Sequence, residues 1–98
     1  MPQFIAAVRR NLDRFSASDF TPELLEEEAE RARRLYADGI FRQMWSRADH
    51  PGAVILIEAG TSDEAQAVLA SLPLAVREML TLDTLVELTP YRGFGPRG

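Results

Sequence analysis

Near its centre the chain carries an antiparallel hairpin, and little else in the sequence constrains the fold as tightly. Ala53-Val54-Ile55-Leu56-Ile57-Glu58-Ala59 is an unbroken β-branched and aliphatic run, the clearest strand in the chain. His50-Pro51-Gly52 precedes it and reads as a turn. Before the turn, Ile40 to Arg47 reads as a strand, with Ile40, Arg42 and Met44 on one face and Phe41, Gln43 and Trp45 on the other. So short a connection allows only antiparallel pairing.

Helical patterns flank the hairpin. Thr21 as N-cap and Pro22 at the first helical position open a helix that Gly39 closes. Leu25, Ala29, Ala32, Leu35 and Tyr36 form its apolar stripe. Acid gathers at its start (Glu23, Glu26, Glu27, Glu28) and base in its later turns (Arg31, Arg33, Arg34), as the helix dipole favours. Glu27 with Arg31 and Glu30 with Arg34 have the spacing of surface ion pairs. On the other side, Thr61-Ser62-Asp63-Glu64 reads as a capping box, Ala65, Val68, Leu69 and Leu72 as the buried stripe, and Pro73 as the stop. Phe4 to Arg9 and Leu80 to Leu88 supply outer strands, with Asn11 to Phe20 a polar loop.

The order is therefore β-α-β-β-α-β, which predicts a ferredoxin-like α+β domain over residues 1–90: a four-stranded antiparallel sheet with two helices on one face. The uncovered face needs an apolar partner, and a second copy of the sheet fits it. A homo-oligomer, at least a dimer, is the expectation. Residues 91–98, rich in Gly and Pro, form a tail expected to dock on a neighbouring subunit through Tyr91 and Phe94.

Composition excludes several chemistries. The chain has 98 residues, a net charge of −4, no Cys and one His. The negative charge argues against nucleic acid as a partner. All 11 basic residues are Arg, so Schiff-base chemistry and a Lys base are excluded. With one His and no Cys, a zinc site of the usual kind lacks ligands, and no metal or cofactor is expected. Phosphate-binding Gly loops and a Gly-x-Ser-x-Gly elbow are absent. No apolar run approaches the ~20 residues that span a bilayer. The opening Met1-Pro2-Gln3 predicts no secretory signal, and a cytoplasmic address fits.

Several pieces, taken in order, resemble the muconolactone isomerase family. An acidic, Arg-containing helix (Glu27-Glu28-Ala29-Glu30 onward) ends at Gly39. An Arg-x-x-Trp strand follows (Arg42-Gln43-Met44-Trp45), then a turn with His50 and the apolar strand Val54 to Glu58. Ser62-Asp63-Glu64-Ala65 and Leu72-Pro73-Leu74 complete the pattern, which runs from Leu24 to Pro90. The chain departs from it where Ser46, rather than Arg, follows Trp45, where Asp49 stands for a frequent Gly, and in its first strand and tail. The resemblance implies a dimeric α+β barrel, and a cofactor-free isomerase of aromatic-compound catabolism that moves a double bond in a small unsaturated lactone carboxylate.

Such a proton shift needs a base, a donor to the dienolate oxygen and a cation for the substrate carboxylate. His50, Glu27 and Glu30 are the candidate catalytic bases. Arg42 and Arg47 are candidate anchors, Trp45 a pocket wall with an N–H donor, and Tyr36 a further wall residue. Each also has a structural reading: a solvated turn for His50, a solvated helix face for the glutamates, pairing with Glu58 for Arg42, solvent for Arg47, and packing for Trp45 and Tyr36. Two other functions fit the fold class: a cofactor-independent oxygenase or cyclase of polyketide type, and a non-catalytic small-ligand-binding oligomer.

Overall fold

The computed structural model describes residues 1–95. Four strands, β1 (Gln3–Arg10), β2 (Phe41–Ser46), β3 (Gly52–Glu58) and β4 (Leu80–Leu88), form one antiparallel sheet in the order β2-β3-β1-β4. Helices α1 (Pro22–Ala37) and α2 (Ser62–Ala70) cover one face, with a one-turn helix α3 (Pro73–Val76) after α2. This is the expected ferredoxin-like arrangement. Pro73 does more than stop α2: its fixed φ opens α3.

Period-two alternation sorts the strands cleanly. Phe4, Ala6 and Val8 of β1 and Ala53, Ile55 and Ile57 of β3 are buried against Leu35, Ala65, Leu69 and Leu72. A second small core of Phe20, Leu24, Leu74 and Met79 lies under the start of α1. On the other face, Ile5, Ala7, Val54 and Leu56 are half-buried, and Trp45, Val86 and Leu88 are exposed.

The caps form as expected, with one change. Thr21 Oγ1 accepts from Leu24 N–H and Thr61 Oγ1 from Glu64 N–H. The Glu64 carboxylate, however, accepts from Gly60 N–H at 2.8 Å, one residue before the cap. Gly39 closes α1 at φ 78°, the left-handed conformation that a residue without Cβ adopts freely.

Two bulges correct the simple strand pattern. In β2, Phe41 pairs with Ile57 but Gln43 with Leu56, so Arg42 is extra. Phe41 and Met44 therefore share the helix-covered face, and Arg42 does not join Met44 there. In β4 the register shifts between Leu82, opposite Val8, and Thr84, opposite Ala7, which leaves Asp83 as the extra residue. That shift is the physical reason for the imperfect alternation of this strand.

Beyond β4, Tyr91 and Phe94 pack edge to face with centroids 4.9 Å apart and remain exposed. The rest of the tail, residues 96–98, lies outside the described residues. Among the described residues no helix is long and apolar enough to cross a membrane.

Candidate functional site

The site begins with a glutamate in the wrong stripe for a surface acid. Glu28 lies one helical turn after Leu24 and one before Ala32, so α1 turns it toward the sheet. Its Oε1 accepts a hydrogen bond from Leu74 N–H at 3.0 Å, tying α1 to the start of α3. Burial raises the pKa of this carboxyl; the Leu74 bond and the charge of Arg10 pull the other way and only partly offset it. Glu30, Asp49 and Asp83, each bonded to an arginine, are shifted the opposite way.

Small residues make room around Glu28. Ala29 and Ala32 of α1 face Gly52 and Ala53 of β3, and a cleft of about 370 Å³ opens between helix and sheet. Val8, Ile55, Leu72, Leu74 and Leu80 line its depth. Met44 and Ser46 of edge strand β2 stand at its exposed side.

Two arginines reach this cleft, in different electrostatic states. Arg33 is neutralised by Glu26 and by Glu30 at 2.9 Å. Arg10 has no carboxylate within ion-pairing distance among the described residues; its guanidinium lies 5.0 Å from the centroid of the Phe20 ring. The ring face holds the cation in place and leaves its N–H donors for an anion. Ser46 adds a hydroxyl with no partner of its own among the described residues. Carboxyl, guanidinium and hydroxyl thus share one mostly apolar space.

The residues that the sequence nominated lie elsewhere, and none lines this cleft. Glu27 and Glu30 border a shallow trough of about 820 Å³ along the outer side of α1. One helix supplies all its walls, so it encloses nothing. Glu30 pairs with Arg33 rather than Arg34, and Arg31 donates to Ser71 Oγ rather than to Glu27. Tyr36 is exposed at the end of α1. His50 is exposed in the turn, where its backbone N–H donates to Asp49. Trp45 is 49% exposed on the uncovered face of the sheet, opposite Val54. Arg42, freed by its bulge, meets Glu58 at 3.8 Å.

Arg47 is the most constrained of the set. Its side chain is only 13% exposed and reaches Asp49 at 2.8 Å and Asp83 at 2.7 Å; Arg9 completes the group at 2.7 Å from Asp83. Arg47 holds the Asp49 and Asp83 carboxyls below the usual carboxylate range, with Arg9 contributing at Asp83. These four side chains form a closed ionic clasp, so Arg47 has no charge to spare for a substrate. Among the described residues no three His, Asp or Glu side chains converge as metal ligands would.

One residue that sequence reasoning missed had a legible signal. Glu28 stands at an apolar position of the α1 stripe, and a carboxylate there needs a reason. Arg10 and Ser46 gave no comparable sign, because only the folded sheet brings strand ends to α1.

The sequence model of muconolactone delta-isomerase matches residues 3–88. No curated protein matches the chain. A crystal structure of muconolactone isomerase at 3.3 Å resolution superposes with a TM-score of 0.72 at 19% identity, over 98% of this chain and 97% of that one. At that identity the superposition speaks for the fold, and the family match carries the kinship: the chain belongs to the muconolactone delta-isomerase family.

Proposed function

We propose that the protein is a cofactor-free isomerase that shifts a double bond in a small unsaturated lactone carboxylate, with the cleft under α1 as its site. The observation that carries this reading is Glu28, a carboxyl with a raised pKa beside an uncommitted arginine in an apolar space. A base that must take a proton and return it works best with a pKa near the working pH. Burial moves Glu28 in that direction.

In this reading the Arg10 guanidinium holds the substrate carboxylate. Glu28 removes a proton from the ring carbon, leaving a dienolate whose negative charge rests on the lactone oxygen. Ser46 donates a hydrogen bond to that oxygen. The Glu28 proton exchanges with solvent through the open side of the cleft; Glu28 then delivers a proton to the far carbon of the conjugated system, and the carboxylate is regenerated. Atoms and charge balance without an added reagent.

The cleft stays open along β2, and the uncovered sheet face carries Trp45, Val86 and Leu88. Both features support assembly as a homodimer through that face. Aromatic-compound catabolism is the setting in which the family's named substrate would arise.

The test is proton NMR of the protein with muconolactone in deuterated buffer. Deuterium entering the ring with conversion to the isomeric enol-lactone, lost in Glu28→Gln, is the expected result. A folded protein that leaves the ring protons of muconolactone and related lactone acids unexchanged defeats the reading.

A second reading, a non-catalytic small-ligand-binding oligomer, has its own support: Arg42 and Arg47 are paired structurally, and neither His50 nor Trp45 lines the cleft. The oxygenase or cyclase reading calls for a wide pocket lined by Trp and Tyr, and neither residue lines the cleft.

A further inference from the structure

We propose that Phe20 is a positioning residue of the cleft: its ring, delivered by the loop of residues 11–20, holds the Arg10 guanidinium where a ligand carboxylate meets it. The anchor role of Arg10 rests on the isomerase reading above. The role of Phe20 rests on geometry.

A cation that binds an anion has two conflicting needs. A long side chain left free loses rotamer freedom when the ligand arrives, and that ordering weakens binding. A carboxylate partner would fix the side chain but take up its charge, as Glu26 and Glu30 do for Arg33. An aromatic face fixes the guanidinium without neutralising it. Arg10 is in this state, with its guanidinium 5.0 Å from the centroid of Phe20 and no carboxylate within ion-pairing distance among the described residues. Arg14 makes the contrast: it lies 5.4 Å from the Phe15 ring, but it also pairs with Glu78 at 3.7 Å and stands in solvent.

The ring is itself held. Phe20 is 5% exposed and belongs to the second core with Leu24, Leu74 and Met79. Its three companions are unbranched or aliphatic, and the one aromatic member is the one that meets the cation. The same core contains Leu74, whose N–H donates to Glu28. Both charged groups of the cleft are therefore referred to one small core, which sets the acid and the cation relative to each other.

The polar loop between β1 and α1 is built to bring Phe20 back to Arg10. Its start is pinned where Arg10 N–H donates to Pro51 O and Asn11 N–H to Met79 O, both at 2.8 Å. Phe15 N–H then donates to Asn11 O at 3.0 Å, which turns the chain. Asp19 accepts from Ser16 N–H at 2.9 Å, and Phe20 N–H donates to Ala17 O at 3.2 Å. Ten residues thus close on their own hydrogen bonds and end with a ring against the side chain that precedes them.

The experiment is calorimetric titration of the full-length protein with muconolactone, with NMR conversion measured in parallel, for the parent, Phe20→Leu, Phe20→Tyr, Arg10→Gln and the double variant Phe20→Leu/Arg10→Gln. Phe20→Leu keeps an apolar side chain in the core and removes the ring face. It should raise Kd and KM by about 2–30-fold, the range that a cation–π contact spans, with kcat nearly unchanged. Phe20→Tyr keeps the ring and should restore parental binding. In the Arg10→Gln background Phe20→Leu should have no further effect, because no cation is left to place. Where Arg10→Gln leaves no measurable binding, the comparison of Leu with Tyr decides, and Phe20→Met replaces Phe20→Leu if that variant fails to fold. Equal weakening in both backgrounds, or by Leu and Tyr alike, would make Phe20 a packing residue only and overturn the inference. If muconolactone converts and Phe20→Leu binds it as the parent does, the inference is overturned and the isomerase reading stands. If Phe20→Leu weakens binding through Arg10 while no variant converts muconolactone, the inference holds and the isomerase reading falls. If the parent does not bind muconolactone, the inference is overturned.

Discussion

Glu28 carries two roles that one pair of substitutions separates. Its Oε1 caps Leu74 N–H, a structural task, and its acid–base equilibrium is the proposed chemical one. Glu28→Gln keeps a carbonyl oxygen for the cap and cannot exchange a proton. Glu28→Ala removes both. Losing a positioned general base costs about 10²–10⁴-fold in rate, so both variants should lose turnover by that factor. Stability should distinguish them. Leaving the Leu74 amide unpaired costs about 1–3 kcal/mol, and each kcal/mol moves the midpoint of a domain this size by roughly 4–8 °C. Glu28→Ala should therefore melt at least several degrees below the parent. Glu28→Gln should match or exceed it at neutral pH. The sign follows from the raised pKa: the native state holds the Glu28 proton more tightly than the unfolded chain. That contribution is complete below the unfolded value of 4.5 and is lost as pH rises through the native one. Glutamine, always uncharged, escapes that loss, so its melting temperature relative to the parent should climb between pH 4.5 and neutrality. Thermal melts and NMR turnover measure the two arms independently. Turnover in Glu28→Gln within tenfold of the parent would refute Glu28 as the proton carrier. A Glu28→Ala protein as stable as the parent would refute the cap.

Three other substitutions test the frame around the cleft. At Gly52 an added Cβ would lie 2.2 Å from Val8 O and 2.7 Å from Arg9 Cα, both backbone atoms, so Gly52→Ala must part β3 from β1; a loss of about 1–3 kcal/mol is expected in urea titration, and a change under about 0.5 kcal/mol would contradict so close an approach. Glu78 holds φ 61°, a left-handed conformation at the end of α3 that Gly adopts without a Cβ clash, and its ion pair with Arg14 is long at 3.7 Å and exposed. Glu78→Gly should gain about 0.5–1 kcal/mol, and a lower melting temperature would count against strain there. Asp83 is held below its ordinary value of 3.8 by Arg47 and then Arg9, so its contribution is present at neutral pH and disappears as pH falls through the native value. The stability gap between parent and Asp83→Asn should be widest near pH 7 and narrow in acid; a gap independent of pH would show that the clasp acts through shape alone.

The fold was legible because its signals are local. Thr21-Pro22, Gly39 and Thr61 each form the cap that the sequence spells, and the Ala53–Ala59 run alternates into and out of the core as a central strand should. The site was not legible to the same degree. Its residues come from the end of β1, the middle of α1 and the end of β2, and no spacing rule connects Arg10, Glu28 and Ser46. The bulge at Arg42 is the sharpest case. Glu58 is the structural partner that the sequence offered for Arg42, but one extra residue takes this guanidinium away from the face of Met44, and period-two reading has no means of anticipating the insertion. The cleft itself is written in what is small: Ala29, Ala32, Gly52 and Ala53 are unremarkable one by one and leave a void only when α1 lies across β3.

The sheet divides the two sets of candidates, and that separation can be tested. Glu28, Arg10 and Ser46 border the cleft under α1, whereas Trp45 and Arg42 stand on the uncovered face that a second copy would cover. A large aromatic that serves as an interface hot spot contributes about 2 kcal/mol or more, about thirtyfold in dissociation constant. Trp45→Ala should therefore shift sedimentation velocity toward the monomer, and Glu28→Gln should leave the assembly intact. Turnover then locates the chemistry. If Trp45→Ala monomers convert substrate with kcat near the parent's, the site is complete within one chain. If kcat falls with dissociation and recovers at high protein concentration, the open side of the cleft along β2 is closed by the partner. If kcat is lost even in the intact oligomer while Glu28→Gln stays active, the chemistry lies between the sheets, and the cleft under α1 is a structural void.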